Sequence, residues 1–177
     1  MQSRSQQRGF TLVELMVVVA IIAVLSAIMI GMASRPYGAN GEVISNQLVS
    51  EMAFARMRAV ATRTVHQVTL YTSGSEQIAL LEAAPTVGMT YTGTAWQTVE
   101  YKRIPTSAII WSAETSAITS TGNNPVQNAG LPYVITFKPD GTATASTIYV
   151  TDRFGTPHYY RVLVYHATGS SYARETW

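Results

Sequence analysis

The sequence contains no cysteine and few charged residues, since only 12% of its 177 residues are Asp, Glu, Lys or Arg. Without cysteine the chain can form neither a disulfide nor a thiolate metal site, so its fold must depend on a hydrophobic core. It also lacks the Ser-His-Asp, Gly-rich phosphate-loop and zinc-ligand spacings that identify common enzyme classes. These absences favour a structural or binding protein over an enzyme.

Titratable residues suited to catalysis are few and widely separated. The chain has three histidines. His158 and His166 are expected on one strand, about 26 Å apart at ~3.3 Å per residue, which is too far to share a metal ion. Asp140 and Asp152 both lie in predicted turns, where Asp is common for backbone reasons. The sequence therefore predicts no catalytic residue, no metal site and no cofactor.

A long apolar run extends from Phe10 to Met32, and Glu14 is its one charged residue. As a helix it would span about 34 Å at ~1.5 Å per residue, enough to cross a bilayer core of about 30 Å. Arg4 and Arg8 precede the run, account for the whole net charge of +2 and favour a cytoplasmic N-terminus. A carboxylate inside such a span is costly, so Glu14 is a candidate functional residue.

Gly9, Phe10, Thr11, Leu12 and Glu14, followed by this apolar run, resemble the class III leader of type IV prepilins and pseudopilins. The resemblance implies that the membrane-embedded prepilin peptidase cleaves after Gly9 and methylates the new amine of Phe10. Glu14 would then occupy the position at which the family keeps its assembly glutamate. The alternatives are an ordinary signal anchor and a secretory signal peptide, but the apolar run is too long for the latter.

Glu14 has a physical role within this resemblance. A lone carboxylate at the centre of a membrane helix costs about 2.5–3.5 kcal/mol. In a filament, the amine of one subunit can meet the Glu14 carboxylate of a neighbour inside an apolar bundle, where a low dielectric strengthens the attraction. The implied partners are other major and minor pilins or pseudopilins, the inner-membrane assembly platform and, before assembly, membrane lipid. The implied location is a single-pass inner-membrane protein with a periplasmic head, and afterwards a pilus or pseudopilus.

The chain divides into a leader at 1–9, a transmembrane or filament-core helix at 10–32, a joint and stem helix at 33–63, and a head at 64–177. Glycines and a proline between residues 31 and 41 predict a break in the helix. The segment 42–63 is predicted as an amphipathic helix that packs on a sheet. Its apolar stripe contains Ile44, Leu48, Met52, Ala55 and Ala59, widened by Val49, Ala53 and Val60.

Beyond residue 64 the apolar pattern alternates, which predicts strands. The predicted strands are 65–71, 77–82, 99–104, 108–112, 133–138, 145–151 and 158–166, with long loops at 84–97 and 113–130. The last three strands are expected to form an antiparallel meander with turns at 139–141 and 152–155, followed by a polar tail. Helices followed by strands predict an α+β fold, with a long N-terminal membrane-spanning and stem helix packed on a β-rich antiparallel head, similar to a type IV pilin.

The turn at residues 137–141 is also similar to that of GspH/FimT-type minor pilins and pseudopilins. This resemblance implies a minor pilin that starts or caps a type IV pilus, or a minor pseudopilin of a type II secretion system. A third possibility is a DNA receptor at a pilus tip, for which clustered cations are required. The candidate contacts are Lys138, Arg153, Arg161 and Arg174. Scattered surface cations explain them more simply, so nucleic acid is not the expected partner.

Overall fold

The computed structural model describes residues 12–33, 41–105, 108–118, 122, 125, 130–153 and 157–177; in the first helix it describes the side chains of residues 12–26. The chain divides into two compact units, Met1–Tyr37 and Gly38–Trp177. Gly9 and Phe10, the residues of the expected cleavage site, lie outside the described residues.

The first unit contains helix α1, Leu12–Ala33, whose sequence is mostly apolar and has one charged residue, Glu14, in its first turn. The helix ends at Ala33, one residue beyond the predicted end at residue 32, and residues 34–40 of the predicted joint lie outside the described residues. A search of the described residues found no helix whose length and hydropathy together reach those of a membrane span.

The second unit begins with helix α2, Gly41–Thr62, close to the predicted bounds of 42–63. The predicted apolar stripe is confirmed, because Ile44, Leu48, Met52, Ala55 and Ala59 are all buried. The predicted widening of this stripe to Ala53 and Val60 is wrong, since both residues are exposed. Arg63 follows α2 in the left-handed region, with φ 57°, which ends the helix.

Four strands form an antiparallel N-terminal sheet in the order β3-β2-β1-β5. They are β1 Thr64–Ser73, β2 Glu76–Val87, β3 Gln97–Ile104 and β5 Tyr133–Phe137. Four others form an antiparallel C-terminal sheet in the order β4-β6-β7-β8. They are β4 Ala108–Glu114, β6 Ser146–Asp152, β7 Tyr159–Val164 and β8 Ser171–Glu175.

Helix α2 lies against strands of both sheets and completes one hydrophobic core. Its buried stripe packs among the inward-facing side chains of β1, β5, β6 and β7, which include Val68, Ile135, Ile148 and Val162. Alternate residues of these strands face the helix because side chains on a strand alternate between the two faces. The predicted α+β class, with a helix packed on an antiparallel head, is therefore confirmed.

The predicted C-terminal meander is wrong in two respects. Strands β5 and β6 do not pair, because β5 joins β1 in the N-terminal sheet while β6 pairs with β4 and β7. The predicted polar tail contains an additional strand, β8, which pairs with β7. The predicted loops also begin later than expected, since β2 continues to Val87 and β4 to Glu114.

Several polar contacts connect the sheets. Gln77 on β2 donates from Nε2 to the Ile110 carbonyl on β4 at 2.7 Å and accepts at Oε1 from the Ile110 N–H at 2.6 Å. The Tyr133 hydroxyl on β5 donates to the Glu114 carbonyl on β4 at 3.0 Å. The segment after β5 also joins the sheets, since the Ala143 N–H donates to the His166 carbonyl and the Thr144 N–H donates to the Thr136 carbonyl. Strand β4 is at the edge of the C-terminal sheet, and the Gln77 amide forms the two backbone hydrogen bonds there that a neighbouring strand would otherwise form.

Candidate functional site

Glu14 lies in the first turn of α1, where a negative charge is favoured by the helix dipole. The large apolar side chains around it, Leu12, Val13, Leu15 and Met16, are exposed in the isolated subunit. An extended apolar surface of this kind requires lipid or other protein around it. The geometry of α1 is thus compatible with burial of the helix, including its carboxylate, in an assembly.

The outward face of α2 forms a second candidate surface, the α2 stripe. Six exposed residues recur at alternating spacings of three and four, opposite the buried face of the helix. They are Val43, Asn46, Ser50, Ala53, Met57 and Val60. None of these residues is charged, although Glu42 and Arg56 flank them. A spacing of three and four with no charge is typical of a seam between packed helices.

The α2 stripe ends at a groove beside the C-terminus of the helix. This groove has a volume of about 490 Å³ and is lined by Val60, Arg63, Val87, Met89 and Asp140 with their neighbours. Its apolar residues are unusually open to solvent, with Val87 72% and Met89 47% exposed. Exposed apolar side chains that lie together often mark an interaction site. The stripe and the groove together form a largely apolar surface on one side of the head.

The four cations proposed as DNA contacts are not all at the surface. Arg161 on β7 is 1% exposed, so its side chain lies within the protein and the prediction that it contacts DNA is wrong. Arg153 and Arg174 are exposed, whereas Lys138 is half-buried beside the turn at residues 139–141. Phosphate binding requires several cations directed toward one face. The geometry therefore gives no support to a DNA-binding patch.

The histidines occupy three separate environments. His158 contacts the Asp152 carboxylate, His166 contacts the Ala143 carbonyl through Nδ1 at 2.6 Å, and His66 is buried. Among the residues that the structure describes, no group of three or more His, Asp or Glu side chains could hold a metal ion. The contact between His158 and Asp152 was not predicted from the sequence, since the turn was interpreted only as a hairpin.

His66 is the buried titratable group with the clearest consequence for stability. Its Nδ1 lies 3.1 Å from the Thr64 carbonyl, which can only accept, so Nδ1 carries the proton in the neutral ring. Its Nε2 is buried and has no hydrogen-bond partner among the described residues. Burial lowers the pKa of His66 below its usual 6.5; the Thr64 carbonyl opposes this shift, and the charge on Arg58 adds to it.

We expect the head to lose stability as the pH falls below about 6.5, because the unfolded chain then binds a proton that folded His66 resists. The loss can reach ~1.4 kcal/mol for each unit by which the pKa is lowered. His66→Leu should reduce the difference in melting temperature between pH 7.5 and pH 5, measured on the purified protein. Thr98→Leu, at an exposed position on β3, changes no titratable group and should preserve the difference. An unchanged difference in the His66 variant would contradict the assignment.

Comparison with known proteins connects these surfaces to a family. A family model of the prokaryotic N-terminal methylation motif matches residues 4–30. Another, described as type II transport protein GspH, matches residues 45–169. Among solved structures, the chain is similar to the minor pseudopilin EpsH from the type 2 secretion system of Vibrio cholerae, with a TM-score of 0.50 and 10% identity over 77% of this chain and 97% of that one. No curated protein matches the chain.

The two family models together cover most of the chain. The methylation motif includes Gly9, Phe10 and Glu14 and implies a membrane-anchored N-terminus of the pilin type. The second model extends from the first turns of α2 to the segment before β8 and covers more than half of the chain. The structural similarity independently supports the same fold for the head. Because the GspH model matches more than half of the chain, the chain belongs to the GspH family of pilin- and pseudopilin-like proteins, which is structural and not a known enzyme family.

Proposed function

We propose that this protein is a minor subunit of a pilin-type filament and joins it through its N-terminal helix. The prepilin peptidase removes residues 1–9 and methylates the amine of Phe10. Before assembly, the apolar run anchors the chain in the inner membrane with its N-terminus in the cytoplasm and its head in the periplasm. Arg4, Arg8 and the methylation motif over residues 4–30 support this arrangement.

The observation that carries the proposal is the α2 stripe. A helix in a monomeric head is expected to present charged and polar residues to water, opposite its buried face. The exposed face of α2 instead has uncharged residues at six positions spaced as in packed helices, including Val43, Met57 and Val60. A neighbouring helix of another subunit can pack on this seam without burying an unpaired charge. The assembly platform and other pilins or pseudopilins are the corresponding partners.

Two filaments are candidates. A type IV pilus is favoured by the low charge of the head and by its long Thr-rich loops, which suit exposure outside the cell. A type II secretion pseudopilus is favoured by the GspH family description and by the similarity in fold to a minor pseudopilin of that system. A DNA receptor receives no support from the geometry, because Arg161 is buried.

A photo-crosslinking residue at Ser50 tests the proposal directly. Ser50 lies in the middle of the α2 stripe and is exposed, so a benzophenone side chain there should reach a neighbouring subunit. We expect covalent adducts in intact cells, with the neighbour identified by mass spectrometry. An adduct with a pilus subunit would assign the chain to a pilus, and an adduct with a secretion pseudopilin would assign it to the pseudopilus.

Ser75 provides the matched control because it is also an exposed serine but lies in the turn between β1 and β2, outside the α2 stripe and the groove. The yield of subunit adducts should be several-fold higher from position 50 than from position 75. Equal yields from both positions would show that contact does not depend on the stripe. Adducts with filament subunits from position 75 alone would place the interface elsewhere and refute the helix-packing role of α2.

A further inference from the structure

Gly41, the first residue of α2, is held in a space that admits no side chain. A Cβ at this position would lie 2.7 Å from Cδ2 and 3.0 Å from Cε2 of the Tyr160 ring. It would also lie 3.1 Å from Oδ1 of Asp152. Tyr160 is in β7 and Asp152 ends β6, so the start of the helix is pressed against two neighbouring strands of the C-terminal sheet.

Asp152 also supplies a hydrogen-bond acceptor to the helix. The N–H of Gly41 donates to Oδ1 of Asp152, which is 111 residues away in the sequence. The first N–H groups of a helix have no acceptor within the helix, and a side-chain oxygen commonly satisfies one of them. That oxygen usually comes from the residue just before the helix, whereas here it comes from the end of a strand.

His158 holds the other oxygen of the same carboxylate. Its Nδ1 lies 2.9 Å from Oδ2 of Asp152. The Asp152 side chain is 9% exposed, whereas that of His158 is 67% exposed. The carboxylate is therefore shielded and fixed on two sides, by the backbone of α2 and by an imidazole in the segment that leads into β7. A carboxylate fixed at two oxygens has little freedom to turn away from the helix.

We propose that Asp152, oriented by His158, is a positioning residue that clamps the first turn of α2 to the C-terminal sheet. A pulling force that reaches Gly41 along the chain is then transmitted to β6 and β7. The force therefore does not unwind α2 from its N-terminus. The clamp keeps the α2 stripe helical from its first residue, Val43, while a subunit is drawn into a filament. This role rests on the proposed function, but the contact that produces it belongs to the head alone.

Hydrogen exchange of the full chain in detergent micelles, followed by mass spectrometry, tests the clamp without any filament. Asp152→Ala should accelerate exchange between Gly41 and Leu48 about fivefold or more, as expected for the loss of a helix cap. Asp152→Asn keeps a side-chain carbonyl oxygen as acceptor and should restore part of the protection. Gly41→Ala should produce a similar acceleration without changing Asp152, because its Cβ displaces Tyr160.

Asp140→Ala is the control, since Asp140 is the other aspartate of the chain and lies in an exposed turn. It should leave exchange at the start of α2 unchanged. Unchanged exchange in Asp152→Ala, or equal acceleration throughout β6, β7 and α2, would overturn the clamp. Because no filament is required, failure here leaves the crosslinking result at Ser50 intact. Conversely, a lack of subunit adducts from Ser50 would remove the filament role and leave the exchange result standing.

Discussion

Replacement of Glu14 by alanine is expected to lower incorporation of this protein into filaments by at least about tenfold. In the proposed assembly, the carboxylate of one subunit lies near the methylated amine of a neighbour within an apolar helix bundle. Two unit charges 4 Å apart attract by about 1 kcal/mol in water and about 4 kcal/mol at an effective dielectric constant of ~20. Since about 1.4 kcal/mol corresponds to a factor of ten, the loss of this attraction is sufficient for the expected effect.

The experiment on Glu14 must distinguish a defect in processing of the N-terminus from a defect in assembly. Mass spectrometry of the mature N-terminus should find methylated Phe10 in the alanine variant, because the cleavage site at Gly9 is unchanged. Glu14→Gln keeps the size and polarity of the side chain and should be nearly as defective, since it also lacks the charge. Leu15→Ala, an adjacent truncation on α1, should be incorporated much more efficiently than either. Normal incorporation of Glu14→Ala would refute charge pairing as the basis of assembly.

The helix of the head could be predicted almost to its ends because its information is local. Apolar residues recur at helical spacing from Ile44 to Ala59, and every one of the five predicted core positions is buried. The predicted widening to Ala53 and Val60 was avoidable, because helical spacing places both residues with Ser50 and Met57, on the face opposite the buried stripe. Their exposure indicates an interaction surface only because the opposite face of α2 is buried against both sheets.

The pairing of the strands was less predictable, because alternation identifies a strand but not its neighbour. The Asp140-Gly141 pair is typical of a hairpin, yet β5 and β6 belong to different sheets. In this structure Asp140 accepts from the N–H and hydroxyl of Thr142, which forms a local turn without strand pairing. The Asp140-Gly141 pair therefore predicted the turn correctly but did not predict which strands pair.

Only part of the candidate site could be predicted from the sequence. Glu14 was identified because its position relative to Gly9 and Phe10 is fixed by a motif. The clamp was not, because Gly41 and Asp152 are 111 residues apart. Arg161 was misassigned because alternation along a strand does not show whether the second face of a sheet is covered. Tyr149, the partner of Arg161 on β6, is fully buried and contacts the ring of Trp177.

Gln77 shows how much stability depends on a contact that no local pattern reveals. Its side chain is in a strand that alternates toward the core, and it is 7% exposed. Both polar groups of its amide are used by the backbone of Ile110, and the resulting pair of hydrogen bonds joins β2 to β4. Burial increases the free-energy cost of breaking these hydrogen bonds, because water cannot readily replace either partner.

Gln77→Leu should therefore destabilise the protein by about 2–4 kcal/mol, since it keeps the side-chain volume but leaves the Ile110 N–H and carbonyl buried without acceptor or donor. For a chain of this size, the melting temperature should fall by about 4–16 °C. Gln97→Leu makes the same chemical change at an exposed position on β3 and should shift the melting temperature by no more than about 2 °C. Gln77→Glu should also be destabilised. Its carboxylate can accept a hydrogen bond from the Ile110 N–H but cannot donate one to the Ile110 carbonyl. If Gln77→Leu and Gln97→Leu melted at the same temperature, the hydrogen bonds of the Gln77 amide to Ile110 would not contribute to stability as argued.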